Sequence, residues 1–155
     1  MTASANASPT RQASEKPEPL GVTGSNEADS EGMTAEVNDV EQNDSGNLVS
    51  VSWSIENNND DYVTLTWLYD QSYTYTGDYF SGITAVSSSS NTRFHPVMDG
   101  SGECLCAGNT SSDFFNEVAP EGKSAYWSLF SIPSDVDSID IEVPGFEPIE
   151  DIPID

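Results

Sequence analysis

The sequence predicts an all-β protein, an antiparallel β-sandwich that follows a disordered acidic segment. From residue 48 onward, apolar and polar residues alternate in several short runs, which is the pattern of half-buried strands. Glycine, proline and asparagine residues separate these runs, as they do between strands. All the aromatic residues lie at or beyond Trp53, so the earlier residues hold little that could form a core.

The change in composition places a domain boundary between residues 47 and 48. Residues 1–47 are rich in Ser, Ala, Asn, Glu, Asp and Pro. Burying such residues cannot offset the entropy that ordering them would cost. We therefore predict a disordered acidic linker over 1–47 and one folded domain over 48–155.

The strand pattern is clearest in LVSVSWSIE, where Val49, Val51, Trp53 and Ile55 share one face. After the turn ENNNDD, the run YVTLTWLY alternates in the same way, so the two runs predict an antiparallel hairpin. Further strands are predicted in GITAVS, TRFHPVM, SAYWSLFSI and SIDIEV. Short strands at this spacing favour an immunoglobulin-like sandwich over residues 48–155.

The ending VPGFEPIEDIPID contains three prolines, which exclude a regular central strand. Its apolar residues recur every two or three positions. Two interpretations follow: a latch that covers an apolar edge of the sandwich, or an exposed peptide that docks on a partner. The regular spacing favours the latch.

The order of these segments resembles a known family. The chain contains WSIENNND, VTLTWL, SGITAV, TRFHPVMD, CLC, a Pro-Glu-Gly turn before YWSLFSIP, and VPGFEPIEDIPI. This series resembles the immunoglobulin-like, telokin-type domains of secreted and lipid-anchored bacterial proteins, and is similar to the domain that precedes OmpA-type domains in actinobacterial envelope proteins. The resemblance implies an extracellular or cell-envelope location, where a signal peptide or anchor would lie outside this sequence.

The negative net charge restricts the classes of partner that the chain can bind. The chain has 27 acidic and four basic residues, for a formal net charge of −23. Nucleic acid and anionic lipid headgroups would repel it, and no apolar run is long enough to cross a bilayer. We expect a monomer that binds an unidentified protein or glycan. So acidic a surface is also typical of adaptation to high salt.

Catalytic machinery is missing from the sequence. His95 is the single histidine, no GxSxG occurs, and the glycines of DGSGE lack the lysine of a phosphate-binding loop. We therefore predict a protein that is not an enzyme and needs no cofactor.

The two cysteines, Cys104 and Cys106, lie one residue apart in GECLCAGN. In an ideal strand their Cα atoms would be about 6.6 Å apart, at the upper limit for a disulfide, and the flanking glycines permit the bend that a bond needs. The oxidising compartment that the resemblance implies favours the disulfide. Two alternatives are free thiols and a metal site, in which His95 joins both thiolates if RFHPVM and ECLC form a hairpin.

A tyrosine-rich stretch supplies the predicted interaction surface. YDQSYTYTGDYF places Tyr73, Tyr75, Tyr79 and Phe80 in a long polar loop. Tyrosine rings suit contacts with sugars or proteins, although such a loop can equally fold back over one end of the sandwich.

Together these features predict a non-catalytic, extracytoplasmic interaction or adhesion module of the cell envelope. The alternative is a metal-binding or redox-sensing domain that uses Cys104, Cys106 and His95.

If the acidity reflects salt adaptation, the melting temperature will rise between low and molar salt, because screening reduces the repulsion among the carboxylates. Thermal unfolding followed by circular dichroism over that range measures the effect. A melting temperature that does not change with salt would count against salt adaptation.

Overall fold

The structure, a computed structural model, describes residues 18–69, 75, 79–108 and 116–154. Every strand within these residues is antiparallel to its neighbours. The strands are β1 (Gly21–Gly24), β2 (Met33–Gln42), β3 (Leu48–Asn57), β4 (Val63–Thr64), β5 (Thr84–Ser87), β6 (Thr92–Phe94), β7 (Glu117–Val118), β8 (Lys123–Ser131), β9 (Ser138–Glu142) and β10 (Ile149–Pro153). Two short 3-10 helices occupy Ala28–Ser30 and Thr66–Leu68.

The strands form two four-stranded sheets and one small pair. The first sheet has the order β1-β2-β3-β8, and the second has the order β10-β9-β5-β6. Strands β4 and β7 pair with each other. The buried side chains of both sheets belong to one continuous apolar cluster, so the sheets enclose a common core. The all-β, antiparallel prediction is confirmed, and the arrangement is that of a β-sandwich.

The centre of the core is aromatic. Trp53 on β3 is fully buried, and its ring centroid lies 4.9 Å from that of Tyr126 on β8. Phe80 contacts Tyr126 edge-on at the same centroid distance. The Trp53 indole N–H donates a hydrogen bond of 3.1 Å to the Ser128 hydroxyl, which satisfies its polar atom in an apolar setting. Burial raises the pKa of Tyr126 to about 12, because the ionised phenol is poorly solvated there.

The predicted boundary at residue 48 is wrong. Strand β2 pairs with β3 along almost its whole length, and β1 pairs with β2. Met33, Ala35, Val37 and Val40 are buried in the common core. None of these side chains is aromatic, so composition alone concealed a strand whose burial depends on its neighbour. Residues 1–17 of the predicted linker lie outside the described residues.

The predicted hairpin between β3 and the run YVTLTWLY is also wrong. The neighbours of β3 are β2 and β8, and Val63–Thr64 pairs instead with Glu117–Val118. The chain then turns into the 3-10 helix Thr66–Leu68, which allows Leu65 and Leu68 to be buried together. A spacing of three residues fits that turn and does not fit a strand.

The C-terminal latch is confirmed. Strand β10 forms one edge of the second sheet by pairing with β9. Phe146, Ile149 and Ile152 are buried in the common core, and Ile154 packs against it. Pro153 ends the strand, at an edge position where proline is tolerated.

Removing residues 1–47 will abolish cooperative folding, because it deletes β1 and β2 and the burial of Met33, Val37 and Val40. Each such side chain stabilises the fold by roughly 1.5–3 kcal/mol. Urea unfolding followed by far-UV circular dichroism tests this. The matched control lacks residues 1–17 only, keeps every described strand and should unfold cooperatively. A cooperative transition in the 48–155 fragment would support a domain boundary between residues 47 and 48.

Candidate functional site

The two cysteines form a disulfide. Their Cα atoms lie 5.3 Å apart, and both residues are almost completely buried. The prediction of a disulfide therefore agrees with the structure, and the alternative of two free thiols does not. Sulfur atoms bonded to each other are not the thiolates that a zinc or copper site requires.

The disulfide lies in a hairpin, the arrangement of RFHPVM and ECLC that the metal-site alternative required. Met98 pairs with Cys104, and the Asp99 amide donates to the Glu103 carbonyl at 2.8 Å. The Asp99 carboxylate closes the turn by accepting hydrogen bonds from the amides of Ser101 and Glu103. The Asp99 carboxylate therefore stabilises the turn that joins the two arms of the hairpin.

This hairpin covers the outer edge of β8. The Leu129 amide donates to the Leu105 carbonyl at 3.0 Å, and the Leu129 carbonyl accepts from the Val97 amide at 2.9 Å. The Ala107 amide donates to the Trp127 carbonyl at 2.9 Å. An uncovered strand edge is a site of aggregation, so the disulfide-bonded hairpin protects the first sheet.

Two tyrosine hydroxyls donate hydrogen bonds to the hairpin. The Tyr75 hydroxyl donates to the Pro96 carbonyl at 2.7 Å, and the Tyr79 hydroxyl donates to the Glu103 carboxylate at 3.2 Å. Tyr79 packs so closely on Gly108 that a Cβ there would lie 2.0 Å from the ring. Gly108 is required because any side chain would displace this ring.

The predicted tyrosine-rich interaction surface is therefore not what the structure shows for these residues. Tyr79 is 3% exposed and Phe80 is completely buried. Tyr75 is half-buried against the two cysteines. Phe80 belongs to the common core, Tyr75 and Tyr79 pack with the disulfide in a separate small cluster, and Tyr73 lies outside the described residues.

His95 lies elsewhere, in a groove of about 480 Å³ on the outer side of the second sheet. Thr84, Arg93 and Glu142 line the same groove, and neither cysteine does. Arg93 donates to the Glu142 carboxylate at 2.6 Å and to the Thr84 hydroxyl at 2.7 Å. Within the described ranges no three His, Cys, Asp or Glu side chains form a metal-binding group. The structure does not bring the predicted ligands together.

The outer face of the first sheet exposes a tryptophan. Trp127 is 40% exposed, although its neighbours Tyr126 and Ser128 on β8 are buried. Ladder pairing aligns it with Ser52 on β3, which in turn is aligned with Asp39 on β2. Residues paired in this way point to the same side of a sheet. The three side chains therefore form a row across the outer face.

A second row runs parallel to the first, two residues further along each strand. Leu129 is aligned with Ser50, and Ser50 with Glu41. These three residues also line one shallow groove of about 190 Å³, which confirms that they share a face. We call the two rows together the Trp127 face: Asp39, Glu41, Ser50, Ser52, Trp127 and Leu129.

A β-bulge places Asp39 in this face. The register of β2 shifts between Val37 and Asp39, so Asn38 is an extra residue opposite β3. Val37 and Val40 can therefore both point into the core although three positions separate them. Asp39 then points outward beside Ser52, and the Asn38 amide donates to the Ser54 hydroxyl.

Beyond Trp127, a depression of about 630 Å³ continues the outer face. Its lining includes Glu36, Ser54 and Ala125, which form a third row. Lys123 donates to the Glu36 carboxylate at 2.8 Å, and this hydrogen bond raises the pKa of Lys123. The charge of Lys123 is thus paired on the protein itself.

The sequence of β8 contains a signal for the Trp127 face. In SAYWSLFSI, both sets of alternate residues contain aromatic and aliphatic side chains as well as serine. The set Tyr126, Ser128 and Phe130 is buried, so the other set, which includes Trp127 and Leu129, lies on the outside. A strand with large apolar side chains on both faces, beside a strand β3 that has serines on its outer face, indicates a surface for binding.

Comparisons with known proteins leave the function open. No protein-family model matches the sequence, and no curated protein sequence matches it. Among solved structures the chain is similar to a functionally unknown protein from Listeria monocytogenes EGD-e. The two are 15% identical, with a TM-score of 0.45, over 88% of this chain and 85% of the other. In the described ranges, no helix is both long and apolar enough to cross a membrane.

Replacing both cysteines with alanine should lower the free energy of unfolding by about 1–2 kcal/mol. The bridge closes a very small loop, so its removal restores little entropy to the unfolded chain. Urea unfolding with an unchanged denaturant slope measures the loss.

The accompanying thiol titration should find no reactive thiol in the native protein and two after denaturation in reductant. Two thiols that react without reductant would contradict the disulfide. A double variant as stable as the parent would show that the bridge contributes nothing to folding.

Proposed function

We propose that this chain is a non-catalytic interaction module that acts outside the cytoplasm, in the cell envelope or beyond it. The observation that carries the proposal is Trp127, a large aromatic side chain that is 40% exposed on the outer face of β8. Tryptophan is enriched among the residues that dominate binding energy, because its ring offers a large rigid contact area.

The surroundings of Trp127 support a binding role. Its row and the next combine one aromatic ring, one aliphatic side chain, two serine hydroxyls and two carboxylates. Apolar contacts with a few polar groups nearby are typical of recognition surfaces. Strands on a packed core hold all six side chains, so binding would require little ordering of the protein.

The buried disulfide supports the proposed compartment. Disulfides persist in oxidising compartments and are rare in reducing ones. We also propose that the sandwich is of the immunoglobulin-like, telokin type, which the order of sequence segments suggested. Its two antiparallel four-stranded sheets are compatible with that topology.

The charge of the described surface supports a choice among partners. Both basic residues of the described part, Arg93 and Lys123, are paired with carboxylates, Glu142 and Glu36. A surface whose cations are neutralised locally has nothing to offer phosphate-rich partners. We therefore propose a protein or glycan as the partner, with salt adaptation as a second property of the same surface.

The Trp127→Ala variant should lose affinity for isolated envelopes of cells that make the protein, by about tenfold or more. Cosedimentation of purified chain with envelopes, over a range of protein concentrations, measures this. Tyr62→Ala is the matched control, because Tyr62 is 66% exposed at a different place. If neither variant changes binding, or both reduce it equally, the Trp127 face is not the interaction surface.

A further inference from the structure

We infer that the Trp127 face binds an extended segment of another protein that has lysine or arginine at alternate positions. This inference rests on the interaction function proposed above and adds the chemistry of the partner. The net charge of the chain does not by itself require a basic partner, because an acidic surface can simply remain solvated.

The shape of the face suits one extended chain. The carboxylates lie on β2, the serines on β3 and the apolar side chains on β8. Neighbouring strands are about 4.8 Å apart, so roughly 10 Å separates the carboxylate side from the Trp127 side. The short serine side chains between them leave a shallow trough that runs along the strands.

The spacing of the carboxylates along the trough fits side chains at alternate positions of an extended peptide. Asp39 and Glu41 belong to successive rows, two residues apart on β2. An extended peptide repeats its side chains on one side at the same interval, about 6.6–6.8 Å. Two basic residues at positions i and i+2 can therefore face these two carboxylates simultaneously, whereas adjacent basic residues point to opposite sides.

The charges on the face are available for such a partner. Glu36 at one end is paired with Lys123, but Asp39 and Glu41 are exposed and neither contacts a basic side chain within the described ranges. A basic side chain that spans the trough also reaches Trp127, whose ring attracts cations. Carboxylate and indole together recognise a cationic side chain better than either does alone.

Charge also argues against a second copy of this chain as the occupant. Two molecules with a formal net charge of −23 each repel one another, and the described cations are already paired. A neutral glycan would gain only from ring stacking and the serine hydroxyls. The two exposed carboxylates then contribute no charge attraction, so we commit to the basic segment.

The experiment compares two synthetic hexapeptides of equal composition and charge, with blocked ends. One is Lys-Thr-Lys-Thr-Lys-Thr, and the other is Lys-Lys-Thr-Thr-Lys-Thr, in which no two lysines are two positions apart. Isothermal titration of the full chain at low salt should show that the alternating peptide binds about tenfold more tightly, because only it can place two ammonium groups on the carboxylates. Equal affinities would overturn the inference, since general attraction to an acidic protein depends on charge alone.

Variants locate the binding site. The Asp39→Asn, Glu41→Gln double variant and Trp127→Ala should each weaken binding of the alternating peptide by about tenfold. The control Asp135→Asn, Asp137→Asn removes the same charge from an exposed turn and should change affinity much less. If the control loses as much as the double variant, the Trp127 face is not the site.

The result can be distinguished from failure of the proposed function. If Trp127→Ala reduces envelope binding but neither peptide binds at this face, the interaction module remains and the basic partner is wrong. A neutral N-acetylglucosamine hexamer is titrated in parallel with the same variants. Binding of that probe at Trp127, without binding of the alternating peptide, would replace the basic segment with a glycan.

Discussion

The structure depends on the packing of Trp53 in the centre of β3. Its ring is enclosed by Phe80 and Tyr126, and its indole N–H must find a buried acceptor, which Ser128 supplies. Any slip of β8 along β3 would remove that acceptor and leave a buried donor unsatisfied, at a cost of roughly 1–3 kcal/mol. The register that keeps this hydrogen bond also aligns Ser52 with Trp127. The core interaction on one side of the sheet thus determines the arrangement of the candidate binding face on the other.

The bulge in β2 likewise affects both the core and the outer face of the first sheet. Without an extra residue at Asn38, a strict period of two would point Asp39 into the core and Val40 into solvent. The bulge restores Val40 to the core and moves the carboxylate outward, where it joins the row of Trp127. An irregularity that a regular strand would not tolerate therefore supplies a charged group to the candidate site.

Sequence reasoning succeeded where periodicity and burial coincide. LVSVSWSIE, SAYWSLFSI and SIDIEV all contain strands, and the proline-rich ending docks on the core through Ile149 and Ile152. It failed for Met33–Gln42, which has no aromatic residue and whose bulge interrupts the period of two, and for Tyr79 and Phe80, which were candidates for an interaction surface and are buried. The Trp127 face was missed because it comprises residues from three strands. Only the register, which tertiary packing sets, brings them together.

The disulfide-bonded hairpin explains why recognition at this face would depend on side chains. A partner strand could otherwise pair with the edge of β8 next to Trp127. Its main-chain hydrogen bonds would provide little sequence specificity. That edge is already used, because Leu129 and Trp127 exchange hydrogen bonds with Val97, Leu105 and Ala107. A partner must therefore approach the face and not the edge. Specificity at the proposed site would then come from the positions of Asp39, Glu41 and Trp127, which β2, β3 and β8 hold in register.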